Sequence, residues 1–181
     1  AISRTNFRFK EQAKEVQEIQ NKFPDSIFLP EGCTNSLAVK GCQEILSKND
    51  QDFDVICVCV GTGGTLAGLI EGSSENQQVL GFMSLKDTSL ETKIAQLTNK
   101  KNWQLIEEYT FGGYAKITPK LIVFINYFYQ QYGIPLDPIY TGKMLFGIFD
   151  QIEQKKWQWG QKILIIHSGG LQGIAGINYQ L

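Results

Sequence analysis

The chain has 181 residues and a formal net charge of −1, from 17 Lys and Arg against 18 Asp and Glu. Hydrophobic residues make up 43% and aromatics 12%, enough apolar mass for one folded domain of roughly 100–200 residues. The balance excludes disorder as the main state. It argues against a membrane span, because no run of about 18 uncharged apolar residues exists, and against a nucleic-acid binder, which needs a basic patch.

Residues 9–23 are charged and amphipathic, with Val16, Ile19 and Phe23 at helical spacing, and predict a helix that Pro24-Asp25 breaks. An apolar run over 27–29 follows, then a loop over 30–35. Thr34 and Asn35 are good N-caps for a helix over about 36–48. Residues 54–60 are almost continuously apolar, which suits a strand covered on both faces. Cys57 and Cys59 lie on one side of that strand and read as buried free thiols. Gly61-Thr62-Gly63-Gly64-Thr65 ends it, and a helical stretch over 66–71 follows. The pattern then gives a strand over 79–83, a helix over 90–98 and a strand over 103–106. Helices over 120–132 and 140–154 come next, and a last strand over 162–166 closes on His167-Ser168-Gly169-Gly170. Residues 107–118 and 133–140 read as loops. Strands alternating with helices predict an α/β domain: a three-layer αβα arrangement around a mostly parallel sheet with right-handed crossovers.

In open α/β sheets ligands bind beyond the carboxyl ends of the strands. Three Gly-rich turns lie at such ends or at adjacent helix starts, namely 61–65, 140–142 and 168–170. The first is the sharpest. Its glycines let the backbone approach an anion, the following helix offers free N–H groups, and Thr62 and Thr65 add hydroxyls. A phosphate is the natural occupant; a tight strand–helix turn with no ligand is the alternative. A dinucleotide fingerprint would need Gly at position 66, which is Leu66, and no Gly-Lys-Ser/Thr closes the loop. The loop therefore reads as a monophosphate cradle.

The lone histidine, His167, precedes Ser168 directly, so the two side chains diverge and a Ser-His-Asp hydrolase is disfavoured. His167 reads as a structural residue or one that supports the site from behind. Cys33, Cys42, Cys57 and Cys59 lack zinc-site spacing, and no His/Cys/carboxylate cluster predicts a metal. The cysteine usage and the lack of a signal-peptide pattern predict a reducing, cytoplasmic setting.

Four stretches taken together resemble one family. They are Glu31-Gly32-Cys33-Thr34-Asn35-Ser36-Leu37, Gly61-Thr62-Gly63-Gly64-Thr65-Leu66-Ala67-Gly68-Leu69, Asp137-Pro138-Ile139-Tyr140-Thr141-Gly142-Lys143 and His167-Ser168-Gly169-Gly170. They stand in the order seen in 1-aminocyclopropane-1-carboxylate deaminases and D-cysteine desulfhydrases, pyridoxal-phosphate enzymes of the tryptophan-synthase β-like fold (fold type II). The resemblance runs from about residue 3 to the C-terminus.

It implies pyridoxal 5′-phosphate as cofactor, with Gly61, Thr62, Gly63, Gly64 and Thr65 holding its phosphate. It implies active-site roles for Tyr140 and for Tyr114, although the flanks of Tyr114 depart from the family's Pro-containing motif. Thr34 and Asn35 would line the mouth of the site, with helix capping as their alternative role; Cys33 stands where the family has a second Gly. In the ring-opening deaminases an acidic residue follows the tyrosine and meets the pyridine nitrogen; here that position is Thr141, and Ser168 supplies a hydroxyl as in the desulfhydrases. Hydroxyls there favour β-elimination. The expected substrate is a small amino acid, the products ammonia and a 2-oxo acid, and the full enzyme a homodimer.

The family's Schiff-base lysine sits in a Gly-Asn-Lys segment upstream of the Glu-Gly-Gly-Ser-Asn-like loop, and nothing in residues 1–30 matches it. Lys40 and Lys143 fall inside family motifs without that role. The expectation is a C-terminal part of a longer enzyme, inactive alone, with residues 1–29 a remnant of the small domain and 30–181 the cofactor-binding α/β domain. A non-catalytic α/β domain that keeps an anion-binding turn stays open as the alternative. A small NAD-type module fails on glycine spacing, with Asp87 the nearest acidic residue after the second strand.

Overall fold

Six apolar residues in succession, Val55–Val60 (β1), form a strand only where both faces are covered. The computed structural model, which describes residues 2–7, 9, 12–29 and 31–178, places β1 inside a four-stranded sheet. Its neighbours are β2 (Gln78–Met83) and β4 (Ile163–Ile166), with β3 (Trp103–Ile106) beyond β2, giving the order β3-β2-β1-β4. All three pairings are parallel, and Cys57 sits opposite Leu80 on one side and Ile165 on the other.

Eight α-helices are described: α1 (Arg4–Phe7), α2 (Lys14–Lys22), α3 (Ser36–Gln43), α4 (Gly64–Gly72), α5 (Leu90–Ala95), α6 (Pro119–Tyr132), α7 (Thr141–Glu153) and α8 (Gln172–Asn178). Successive strand residues point to opposite faces. Ile56, Val58 and Val60 therefore pack with Leu66, Leu69 and Ile70 of α4 and Leu90 and Ile94 of α5. Val55 and Cys57 pack with Phe128 of α6 and Met144, Leu145 and Ile148 of α7. Burying each such aliphatic side chain contributes about 1.5–3 kcal/mol. The result is the expected three-layer α/β arrangement.

Gly68 lets α3 and α4 touch. A Cβ there would overlap the Cys42 side chain and lie 2.8 Å from the Val39 carbonyl. The helix expected over 36–48 ends at Gln43, because Ser47 and Asp50 form a capping box that starts a separate 3₁₀ turn over Lys48–Asp52. The helix expected over 90–98 stops at Ala95. α8 was not foreseen. Of the helix expected over 9–23, residues 10 and 11 lie outside the described residues, as does residue 30 of the following loop. The described part forms α2, whose apolar stripe stays open: Ile19 and Phe23 are exposed. Among the described residues no helix is long and apolar enough to cross a membrane, and no three His, Cys, Asp or Glu gather as a metal site.

Candidate functional site

β1 ends at Val60, and the chain turns through Gly61–Thr65 into α4. Gly63 caps the helix at φ 94°, a backbone state that L side chains rarely adopt. A Cβ on Gly63 would also press to 3.1 Å on Ile94. The first helical amides, those of Gly64, Thr65 and Leu66, have no acceptor within the helix, and the dipole makes this end positive. These groups line a cavity of about 370 Å³, whose other walls include Gly32, Cys59, Tyr140, Ser168, Gly169 and Gly170. The Thr62 hydroxyl meets the Thr34 hydroxyl at 2.7 Å. Gly32, at φ 69°, leaves room for that pair, since a Cβ there would overlap the Thr62 side chain.

Tyr140 precedes α7 and is fixed by Asp137. That carboxylate is fully buried. It accepts from the amides of Ile139 (2.9 Å), Tyr140 (2.8 Å) and Thr141 (2.9 Å) and from the Thr141 hydroxyl (2.7 Å). The Tyr140 ring meets Tyr114 edge-on, centroids 6.2 Å apart. Burial, then the Tyr114 contact and the negative charge of Asp137, raise the Tyr140 phenol to about 12.

A second cavity of about 590 Å³ adjoins this one and shares Gly61, Thr62 and Tyr140 with it. Tyr114, Thr34, Leu85 and the ion pair of Asp87 and Lys93 (2.9 Å) are among the rest of its wall. Hydrogen bonds from Ser89 and Lys93 hold the Asp87 carboxyl at about 2.

The structure thus brings together Gly61 to Thr65, Tyr140, Ser168, Thr34 and Tyr114. It does not bring Thr141 or Asn35 to either cavity wall. Thr141 is buried, and its hydroxyl both donates to Asp137 Oδ2 and accepts from the Asp137 amide at 3.0 Å. At the start of α7 its hydroxyl is bonded to Asp137, which takes up the amides there, rather than facing a ligand, which corrects its expected place beside the cofactor ring. Asn35 caps α3, accepting from the Ala38 amide at 2.8 Å. His167 is structural as expected: its Nδ1 accepts from the Gly169 amide at 3.2 Å, which leaves Nε2–H to donate to the Pro135 carbonyl at 2.9 Å.

Two contributors went unassigned in the sequence although both stand in a quoted motif: Asp137, and Lys143, whose buried Nζ donates to three backbone carbonyls. Burial lowers the Lys143 ammonium to about 8, and Asp137 opposes that. Burial also pushes the cavity-lining Cys59 thiol up to about 11. The available signal was a lone acidic and a lone basic residue, Asp137 and Lys143, at the two ends of an otherwise uncharged motif.

Phosphate chemistry fits this site: unpartnered amides at a positive helix end, hydroxyls beside them, and glycines that keep the wall low. Known proteins agree. A Pyrococcus horikoshii protein with a provisional 1-aminocyclopropane-1-carboxylate deaminase name is 32% identical over 94% of this chain. The mitochondrial bifunctional D-cysteine desulfhydrase/1-aminocyclopropane-1-carboxylate deaminase of Arabidopsis thaliana is 31% identical over 89% of it. The chain spans 58% and 45% of those two proteins. A crystal structure described as an ACC deaminase homologue superposes with a TM-score of 0.81 at 28% identity, over 99% of this chain and 59% of that one. A tomato threonine deaminase isoform shares the fold at TM-score 0.52 and 17% identity. The profile of the pyridoxal-phosphate dependent enzymes matches residues 4–169, and this chain belongs to that family.

Proposed function

We propose that this chain is the phosphate-holding part of a pyridoxal-phosphate-dependent amino-acid lyase of the deaminase or desulfhydrase type. The observation that carries the proposal is the turn Gly61–Thr65 at the start of α4, facing Ser168 across one cavity with Tyr140 in its wall. The cofactor, when bound, draws electrons from the amino acid's α-carbon. The amides of Gly64, Thr65 and Leu66 and the hydroxyls of Thr62 and Thr65 would bind its phosphate. Ser168 would offer the ring a neutral hydroxyl instead of a carboxylate, which favours β-elimination over ring opening. Elimination removes the α-proton and the β-substituent, and one water then completes release of ammonia and a 2-oxo acid.

Tyr140, raised to about 12, keeps its phenol proton through the neutral range. It can therefore donate a hydrogen bond at Oη to a developing negative charge on the substrate. Tyr114, edge-on to it, narrows the space on the substrate side. The adjoining cavity, with Asp87 and Lys93 in its wall, is where the amino acid would enter.

In this reading the covalent lysine lies outside this chain, and three lysines near the site or its motifs are otherwise disposed. Lys143 Nζ is engaged by three carbonyls, Lys93 is paired with Asp87, and Lys40 is exposed on α3. In this reading residues 1–29 belong to the smaller domain of the whole enzyme and 30–181 to the cofactor domain, and the whole enzyme is a homodimer. The four unpaired thiols suit a reducing compartment, the cytosol in this reading.

The test is a binding titration of this chain with pyridoxal phosphate and with pyridoxal. Binding that requires the phosphate, and that inorganic phosphate displaces, is expected. Equal binding of the two vitamers, or none of either, would contradict the proposal.

A further inference from the structure

Tyr114 is 58% exposed, so little packing holds its ring over the cavity. Its position depends on the loop that carries it, and that loop is costly to form. Phe111 (φ 54°), Gly112 (φ 98°), Gly113 (φ 131°) and Ala115 (φ 54°) all lie in the left-handed region. Side chains of L residues rarely adopt that state, so Phe111 and Ala115 are strained there. Two internal bonds close the loop: the Gly113 amide donates to the Thr110 carbonyl (3.0 Å), and the Lys116 amide donates to the Gly113 carbonyl (3.2 Å). The Phe111 ring stacks edge-on with Phe146 of α7 at 5.1 Å, but this anchor precedes the two glycines and leaves Tyr114 beyond them.

Lys143 supplies the missing restraint. It stands in the first turn of α7, is 1% exposed, and extends its ammonium under the loop. Nζ donates to the carbonyls of Thr110 (2.9 Å), Gly113 (2.8 Å) and, at the end of β2, Ser84 (3.2 Å). Two of these are the same carbonyls that close the loop. Three N–H donors on one nitrogen exist only in the charged form of lysine. The helix end that carries Tyr140 thus grips both ends of the turn that leads into Tyr114.

We infer that Lys143 is a positioning residue that fixes Tyr114 against Tyr140 by tying the 110–113 turn to the first turn of α7 and the end of β2. The inference rests on the proposed function for the importance of the tyrosine pair, but not for the restraint itself.

The test uses this chain without cofactor. In Lys143→Met, amide hydrogen exchange at Gly113 and Lys116 is expected to quicken about tenfold or more, while the β1 amides stay within about twofold. The nuclear Overhauser contact between the Tyr114 and Tyr140 rings is expected to vanish. Lys143→Arg keeps the charge, but no nitrogen of its guanidinium carries three N–H donors, so it should restore the two readouts only in part. Unchanged exchange at Gly113 and Lys116, acceleration spread evenly over the β1 amides, or a persistent ring contact would overturn the inference.

A measurement on the unsubstituted chain covers the case in which Lys143→Met does not fold. The Lys143 ammonium resonance should be shielded from solvent exchange, and exchange as fast as that of exposed lysines would also overturn it. Loss of phosphate-dependent cofactor binding with these results intact would count against the proposed function alone.

Discussion

Thr34 and Thr62 meet hydroxyl to hydroxyl at 2.7 Å although 28 residues separate them in the chain. One lies just before α3, the other in the turn before α4, and both helix starts are thereby joined at the cavity mouth. Thr62→Val removes a hydroxyl with little change in shape. Hydrogen bonds to charged groups are worth about 1.5–3 kcal/mol, so affinity for pyridoxal phosphate should fall about tenfold to a hundredfold. Thr34→Val touches the phosphate only through Thr62 and should lower it less than about tenfold. A fluorescence titration of both variants checks the order.

Asp137 should be the more damaging position for stability. Its buried carboxylate receives four donors, and Asp137→Ala leaves all of them without an acceptor. A cost of about 3 kcal/mol or more is expected in urea unfolding. Asp137→Asn keeps one oxygen and should cost roughly half of that.

Tyr109 and Tyr140 should be the late titrators among the described tyrosines. Burial raises both to about 12, helped by Asp150 for Tyr109 and by Tyr114 for Tyr140. The sign follows from linkage. Between the ordinary value near 10 and the folded value near 12 the unfolded chain releases protons that the folded chain retains. Their contribution to stability is full below about pH 10 and is lost as pH rises toward 12. Absorbance at alkaline pH should show a late component that loses one tyrosine in Tyr140→Phe.

Native alkylation at about pH 8 should modify Cys33 first, since it is exposed. Burial raises the Cys57 and Cys59 thiols, so both should stay unlabelled until the chain unfolds. Peptide mass mapping reads the order directly; early labelling of Cys59 would mean that the cavity floor is more open than the fold describes.

The legible and illegible parts of this protein divide along physical lines. β1 and its Gly-rich turn were readable because an unbroken apolar run and a glycine cluster are local signals. Thr141 was misplaced because a hydroxyl has the same letter whether it faces a ligand or bonds a buried carboxylate, and only the fold brings Asp137 to it. Lys143 could not be assigned from spacing, since its three acceptors lie 30, 33 and 59 residues away. α8 was missed because Gly173 and Gly176 weaken its helical signal. The early stop of α3 was readable in principle from the Ser47–Asp50 capping pair.

The proposed division of labour has this chain cradle the cofactor phosphate without supplying the covalent lysine. Borohydride reduction of the chain with bound pyridoxal phosphate, followed by peptide mass mapping, tests this most directly. The predicted result is phosphate-dependent binding without stoichiometric reduction onto any one lysine. A single stoichiometric adduct on Lys93, Lys143 or Lys40 would contradict it and would place the Schiff-base lysine within these 181 residues.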